Sequence, residues 1–458
     1  MFLIHPDASL YDAHTNRTWN YGEICSAAES FADSLQSPSK SLLFLFCRNN
    51  APCVFAYLGA IEAGHAVALL DEALAPEFKT RLIDLYQPEF VAAPDASLDP
   101  GRQHLPAASN IDLALWRRND TGTAATPHSD LALLLSTSGS TGTPKFVRLT
   151  RRNLESNARS IGMGLGITAE DVPITSLPFH YSYGLSVLNS HLLAGASIVI
   201  SNAGLMTPDF WNAARDRQCT SWAGVPYSYQ ILKRLDLDKL NVPSLSTLTQ
   251  AGGRLHVDLV AHFHARMTSR GGRFFVMYGQ TEATARISIL QSHLLPEKLG
   301  SAGQAISGGA LSVDAETSEI VYRGPNVMMG YAESRQDLAL GDVMGGVLST
   351  GDLGYLDADG CLFLTGRRKR DAKVFGLRLN MDEVEEMLRA HGPTAVVAGN
   401  EKLVIYCEHG DADAFIAYRR DLSSRLKLHA AAFEFRRVDQ LPLNANGKID
   451  YPKLGGSA

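Results

Sequence analysis

Through the first two thirds of the chain, short apolar runs alternate with longer stretches in which apolar residues recur at helical spacing. That alternation is the pattern of strands joined by crossover helices, so the chain reads as α/β. Leu42–Phe46, His65–Leu70, Leu131–Leu135, Ser197–Ile200 and Phe274–Met277 are predicted strands; Tyr21–Leu35, Ala51–Glu62, Arg151–Met163 and Pro226–Leu235 are predicted helices. The second of these helices follows Asn49-Asn50, a polar pair suited to cap it. After about residue 300 the texture becomes Gly-punctuated and β-rich, with short runs at Glu319–Tyr322 and Leu362–Leu364. The basic cluster Arg367-Arg-Lys-Arg370 then precedes a helix-like stretch, Met381–Ala390, and a tail of mixed character. A domain boundary near Lys369 is expected from this change.

With 458 residues, the chain has room for two to four domains at roughly 100 to 200 residues each. Its composition, 45% hydrophobic and 20% charged, is that of a folded globular protein and excludes a disordered tail or a disulfide mini-domain. The formal charge of −6 makes nucleic acid or an anionic membrane an unexpected partner. The stretch from Arg367 onward holds 16 Lys+Arg against 13 Asp+Glu, so it is the more basic part. Its four-residue basic run lacks the aromatic interleaving of a nucleic-acid site. The six cysteines include no C-x-x-C pair, which points away from zinc and toward a reducing compartment. Met1-Phe-Leu-Ile-His-Pro-Asp7 has no basic leader, and no apolar run reaches a membrane-spanning length. A cytoplasmic protein is the expectation.

Four segments could carry chemistry. In Leu134-Leu-Ser-Thr-Ser-Gly-Ser-Thr-Gly-Thr-Pro-Lys145 an apolar strand runs into small and hydroxylated residues and then a lysine. Such a loop can bring backbone N–H groups and hydroxyls to a polyphosphate, with Lys145 as a point charge, or can be a plain surface loop. It is not a Walker A loop, because Pro144 and Phe146 stand where Gly and Ser or Thr are required. Phe274-Phe-Val-Met-Tyr-Gly-Gln-Thr-Glu282 offers a ring for a base, a hydroxyl for phosphate and an acid for Mg²⁺, or else a turn that opens a helix. Asp352, in Ser349-Thr-Gly-Asp352, suits a ribose diol, and Arg367 suits ribose or phosphate oxygens; a turn aspartate and a solvated arginine are the alternatives. Lys448 stands on the turn Asn444-Ala-Asn-Gly-Lys448 and, alone, reads as an exposed lysine.

In this order and at these separations, the segments resemble the adenylate-forming superfamily of acyl-CoA synthetases, carrier-protein adenylation domains and luciferases. Leu177-Pro-Phe-His-Tyr-Ser-Tyr-Gly184 and Gln250-Ala-Gly-Gly253 belong to the same resemblance, which covers nearly the whole chain. It implies an α/β multi-subdomain fold: a large N-terminal domain of sandwiched sheets and helices over 1–366, and a small α+β C-terminal lid over 367–458. It also implies a reaction in two steps. A carboxylate attacks the α-phosphate of ATP to give acyl-AMP and pyrophosphate, and the thiol of CoA or of a carrier protein's phosphopantetheine then displaces AMP.

The resemblance also implies residue roles. Thr137, Ser138, Gly139, Ser140, Thr141, Gly142 and Lys145 would hold pyrophosphate. Gly252 and Gly253 would let backbone approach the base, with Tyr278 as adenine platform and Gly279 beside it. Thr281 would contact phosphate, Glu282 would bind Mg²⁺, and Asp352 and Arg367 would contact ribose. Lys448 would bridge the carboxylate, ribose and α-phosphate. Lys369 would be the hinge on which the lid rotates, and Gly376 would enter the second-step tunnel. Tyr181, Tyr183, Trp222, Val225 and Thr284 are the positional choices for the acyl pocket.

Tyr181 occupies the position where many acyl and aryl ligases have histidine, with His180 one residue earlier. The segment lacks the aspartate that would pair an α-ammonium, which disfavours an α-amino acid. Arg370, where an acidic residue is frequent, is expected on a surface facing an acidic carrier or the CoA nucleotide, or in solvent. The expected substrate is therefore a small fatty or aryl acid. An amide-forming synthetase, or a stand-alone enzyme loading a carrier protein with an acid or amino acid, is the alternative. A non-catalytic nucleotide binder is a third reading, and the joint presence of Glu282, Asp352, Arg367 and Lys448 argues against it.

Overall fold

In the computed structural model of the chain, residues 1–94, 103–105, 111–119, 124–136, 145–374, 377–400, 402–426, 428–444 and 447–455 are described. They form two compact units, one of Met1–Ala310 with Tyr322–Leu348 and the other of Leu311–Val321 with Ser349–Ala458.

Strand Leu42–Cys47 shows how the first unit is layered, since all six of its side chains are buried. Leu43, Leu45 and Cys47 join a core shared with the helices Tyr21–Ser34 and Ala51–Glu62. Leu42, Phe44 and Phe46 join a separate core with the helix Pro76–Tyr86. Side chains alternate across a strand, so an unbroken apolar run is what a strand covered on both faces requires. This strand lies within an eight-stranded sheet and pairs in parallel with Ala66–Asp71 and Phe90–Ala93. Leu131–Ser136 continues the sheet in parallel beyond Ala66–Asp71.

A nine-stranded sheet contains, in spatial order, Ser197–Ile200, Pro173–Ile174, Ser221–Gly224, Thr247–Gln250 and Arg273–Tyr278, all parallel. Ile198 and Ile200 face the central core that Leu43 and Leu45 also enter. Val199, Leu248 and Phe274 face an outer core shared with the helices Pro208–Asp216, Pro226–Leu235 and Val257–Ser269. Helices therefore fill the space between the two sheets and cover the outer face of each. The central helix Ala51–Glu62 is buried along nearly its whole length, as its apolar character on all sides demands. Asn50 caps it, its side chain accepting from Cys53 N at 3.0 Å. A Cβ at Gly59 would lie 2.3 Å from the Ala28 carbonyl oxygen, so glycine is required where this helix crosses Tyr21–Ser34.

Most of a four-stranded sheet, Ala310–Val313, Glu319–Arg323, Val347–Leu356 and Leu362–Arg367, falls in the second unit. The hairpin Asp371–Val374 with Leu377–Asn380 follows, then a three-stranded sheet of Thr394–Ala398, Leu403–Cys407 and Phe433–Arg437. Val384 and Leu388 of the helix Met381–Leu388 pack with Ile405 and Phe433 on a core of their own. The chain is an α/β multi-subdomain protein with a large sandwiched unit and a smaller α+β unit. Two central strands, Ser221–Gly224 and Thr247–Gln250, carry no unbroken apolar run, because Ser221, Thr247 and Thr249 put hydroxyls on one face. All six cysteines are free thiols, and no helix among the described residues is long and apolar enough to cross a membrane.

Candidate active site

The parallel strands of the nine-stranded sheet are in register, with Gly224 opposite Gln250 and Gln250 opposite Val276. The segments that follow them, at Val225, Ala251-Gly252-Gly253 and Gly279, therefore leave the sheet at one edge. The carboxyl edge of a parallel sheet is where α/β folds place ligands. Gly252 has φ +84° and Gly253 is exposed. Gln250, fully buried, ties the turn by donating from Nε2 to the Gly253 carbonyl at 2.7 Å.

Beyond Tyr278, which is buried, the chain closes a tight loop. A Cβ on Gly279 would fall 1.7 Å from the Ala285 carbonyl oxygen, so no other residue fits there. Thr281–Ala283 forms a single 3₁₀ turn that projects Thr281 and Glu282. The Thr281 and Ser182 hydroxyls share a hydrogen bond of 3.1 Å. Glu282 Oε1 accepts from the Tyr331 hydroxyl at 2.7 Å, and Lys145 Nζ lies 3.6 Å from the centroid of the same Tyr331 ring. Burial, and then the Glu282 charge, push the Tyr331 phenol up, which keeps it a donor. Glu282 Oε2 has no protein partner among the described residues, which also contain no group of three or more His, Cys, Asp or Glu able to hold a metal by themselves. One positioned carboxylate fits Mg²⁺ of the kind that takes its remaining ligands from water and substrate phosphates.

The loop is strained and clamped. Thr284 and Ala285 have φ of +57° and +108°, values that L residues with side chains seldom adopt. Asn326 holds them: its backbone carbonyl accepts from Thr284 Oγ1 at 2.6 Å, and its amide donates to the carbonyls of Ala283 at 2.7 Å and Arg286 at 2.9 Å. Tyr322 in turn donates to Asn326 Oδ1 at 2.8 Å. Asn326→Ala would keep the backbone bond from Thr284 but remove the amide from the Ala283 carbonyl and the acceptor from the Tyr322 hydroxyl, while Asn157 Nδ2 still serves the Arg286 carbonyl at 3.0 Å, and it is expected to cost about 2–4 kcal/mol in a urea titration. An unchanged midpoint would mean that the strained loop does not depend on this clamp.

Of the residues chosen for an acyl pocket, Tyr183 lines a cavity between the sheet and the helices Arg151–Leu165 and Ser182–Ala194. Its hydroxyl donates to the Thr249 carbonyl at 3.0 Å. Trp222 also borders this cavity, but its ring packs against Tyr229 in the outer core at a centroid distance of 5.1 Å. Thr284 borders a smaller, separate cavity, and Tyr181 and Val225 are buried. His180 Nε2 stands 3.9 Å from Asp71 Oδ2, while its Nδ1 is buried without a partner among the described residues. Burial lowers the pKa of this imidazole against the opposing pull of Asp71.

In the second unit, Asp352 and Arg367 are register partners on adjacent strands, and Arg367 Nε donates to Asp352 Oδ1 at 2.8 Å. The carboxylate is buried and the guanidinium exposed. Arg368 makes the parallel bond to Glu319, whose other oxygen accepts from Gly351 N at 2.8 Å. Lys448 lies in a turn that Asn444 fastens twice, by Asn444 N donating to the Lys448 carbonyl at 2.8 Å and by Lys448 N donating to Asn444 Oδ1 at 3.1 Å. Lys369 lies in the short 3₁₀ turn Arg368–Arg370. The expected surface role of Arg370 is corrected by the structure. Its guanidinium pairs with Asp382 at 2.9 Å and Glu385 at 2.7 Å, and stacks 3.8 Å over the Tyr451 ring, as an internal tie of this unit. Thr137, Ser138, Gly139, Ser140, Thr141, Gly142 and Gly376 lie outside the described residues.

Sequence reasoning passed over Tyr331, Asn326, Arg286 and Ser182. Ser182 stands inside a quoted motif, and its position beside two tyrosines was the one available signal.

The sequence model of the AMP-binding enzyme family matches residues 4–332. The 2-succinylbenzoate–CoA ligase of Bacillus velezensis is 27% identical over 95% of this chain and 92% of its own length. The oxalate–CoA ligase of Arabidopsis thaliana is 30% identical over 72% of this chain and 68% of its own. Among solved structures, o-succinylbenzoate CoA synthetase from Bacillus subtilis, in complex with an acyl-adenylate intermediate, superposes with a TM-score of 0.76 at 24% identity, covering 97% of this chain and 94% of that one. This last likeness is one of fold.

Proposed function

The chain belongs to the AMP-binding enzyme family, and on that premise we propose the chemistry of its individual residues. The protein is an AMP-forming acid–thiol ligase that uses ATP and Mg²⁺. A carboxylate oxygen attacks the α-phosphorus, the bond to the β-phosphate bridging oxygen breaks, and acyl-AMP and pyrophosphate result. The CoA thiol then attacks the acyl carbon, loses its proton, and releases AMP.

The observation that supports this reading best is Glu282, held by Tyr331 beside Lys145, at the end of an in-register parallel strand. Two anions must meet in the first step, so positive charge and fixed geometry are the main requirements. In this proposal Lys145, with Thr137, Ser138, Gly139, Ser140, Thr141 and Gly142, takes the departing pyrophosphate, and Thr281 contacts phosphate. Mg²⁺ bound at Glu282 would supply charge neutralisation of the phosphates. Tyr278 and Gly279 flank the adenine with Gly252 and Gly253. Asp352, its carboxylate already oriented by Arg367, receives the ribose hydroxyls. Lys448 brings an ammonium to the carboxylate and α-phosphate. Residues 367–458 would then rotate about Lys369, withdrawing Lys448 and presenting Gly376 for thioester formation. A carrier-borne phosphopantetheine is a second acceptor for the same chemistry. The internal pairing of Arg370 takes one cation out of the basic run that had favoured it, while Arg367 and Arg368 stay exposed. A cytoplasmic setting, where all six cysteines would stay reduced, suits the chain.

Hydroxylamine trapping tests the assignment. With ATP, Mg²⁺ and a panel of mono- and dicarboxylic fatty and aryl acids together with amino acids, hydroxamates are expected from fatty or aryl acids and not from α-amino acids. Silence across the panel together with tight ATP binding would favour a nucleotide binder without turnover.

A further inference from the structure

Three arginines of the first unit are buried almost completely: Arg148, Arg335 and Arg286. Two have their hydrogen bonds supplied. Arg148 donates to the carbonyls of Tyr331, Met329, Leu340 and Gly341. Arg335 pairs with Glu89 at 2.8 Å and also donates to the carbonyl of Ala125 at 2.7 Å. Arg286 has neither kind of support. Its one side-chain bond is a long 3.5 Å contact from a terminal nitrogen to Ser186 Oγ, and its Nε is buried without a partner among the described residues. Its guanidinium sits 4.8 Å from the centroid of the Tyr183 ring and forms no ion pair with a carboxylate among the described residues.

Arg286 borders the cavity that Tyr183 also lines. Much of the remaining lining is hydrocarbon, from Ile161, Leu165, Ile174 and Met277 among others. The one carboxylate in that lining, Asp171, is occupied by Thr168 N at 2.8 Å and Thr220 Oγ1 at 3.1 Å. A second cation, Arg273, is occupied by the Leu165 carbonyl and Thr247 Oγ1. Ser221 Oγ borders the same space and also has no partner among the described residues. An uncompensated buried guanidinium is strongly unfavourable, because nothing replaces the water it has lost. Burial accordingly pushes Arg286 down from the ordinary arginine range. The lining also includes Ser186, Ser190, His191, Thr247 and Thr249, so it mixes hydrocarbon with polar groups, and its one unpaired cation and one free hydroxyl make it complementary to an organic acid that carries a second anion.

We propose that the acid activated here is a dicarboxylic acid, whose second, non-reacting carboxylate pairs with Arg286 inside this cavity. This rests on the adenylation reading above and narrows its substrate class. A neutral polar terminus would satisfy the hydrogen bonds and leave the charge unpaired; a monocarboxylic acid would leave both unmet.

The test compares hydroxamate formation by the wild-type protein across matched sets: straight-chain and aromatic diacids, the monoacids of equal length, and the monomethyl esters of the diacids. The diacid of at least one set is expected to exceed both partners about 100-fold or more in kcat/KM, a floor below the ~10⁴-fold by which sites built around a polar group reject substrates that lack it. Arg286→Met is expected to erase that preference, and Arg286→Lys to restore part of it. Monoacids used as well as their diacid partners would overturn the proposal and leave adenylation standing. Loss of all acids alike in a folded Arg286→Met protein would instead place Arg286 on the reacting carboxylate and overturn the proposal too. Hydroxamate from neither class would remove the adenylation reading itself, and this proposal with it.

Discussion

Lys448→Ala is expected to slow acyl-AMP formation about 10²- to 10³-fold, the usual effect of removing one donor from a transition state that develops charge. Transfer from preformed acyl-AMP to CoA should change little. The carboxylate and the triphosphate repel one another, and the repulsion is largest as the new oxygen–phosphorus bond forms. An ammonium placed between them acts more strongly there than in the ground state, so the loss should fall on kcat and not on the KM for ATP. The turn that carries Lys448 is fastened through Asn444 and its backbone, so truncating the side chain leaves the support in place. The measurement is a pair of half-reactions: pyrophosphate release with acid and ATP, and thioester formation from synthetic acyl-AMP and CoA. Equal loss in both would show that Lys448 supports the unit as a whole and would refute the division of labour proposed for the lid.

The fold and the site were legible to different depths. Leu42–Cys47 and Ala51–Glu62 announced themselves because continuous burial writes a continuous apolar run. Ser221–Gly224 and Thr247–Gln250 did not, since one face of each looks toward hydroxyl-lined space and breaks the pattern. Candidate residues could be picked out where they lie within one contiguous segment: Tyr278 to Glu282, Gly252 and Gly253, and Lys448 on its turn. What arrives by tertiary pairing could not be. Tyr331 meets Glu282 across 49 residues, because its strand Gly330–Ala332 pairs with Phe146–Thr150, directly after Lys145. Asn326 is likewise a single polar residue whose partners in the strained loop lie 40 or more positions away. The arginines misled in both directions. Arg370 sits in a basic run that suggested a surface, yet its partners Asp382 and Glu385 stand on the next helix. Arg286 lies four residues beyond a recognised motif, and charge alone gives no sign of burial.

Glu282→Gln is expected to lower kcat/KM for Mg²⁺-dependent pyrophosphate release about 10²-fold or more and to raise the apparent Mg²⁺ requirement at least ~10-fold, since a neutral amide is a poor ligand for a hard cation. The substitution is informative because of Tyr331. The glutamine carbonyl can still accept the bond that Tyr331 now donates at 2.7 Å, so the loop keeps its tether and loses only the charge. Tyr331→Phe does the reverse, keeping the carboxylate and the ring beneath Lys145 while removing the tether. A group that orients a metal-binding carboxylate typically matters ~10- to 100-fold. Tyr331→Phe should therefore be the milder variant, with a smaller rise in the Mg²⁺ requirement and an unchanged Lys145 stack. Titrating Mg²⁺ at saturating ATP for both variants separates the two contributions. If Glu282→Gln lost activity with no change in its Mg²⁺ dependence, Glu282 would not be the metal ligand, and Tyr331 would then be holding the 3₁₀ turn for Thr281 alone.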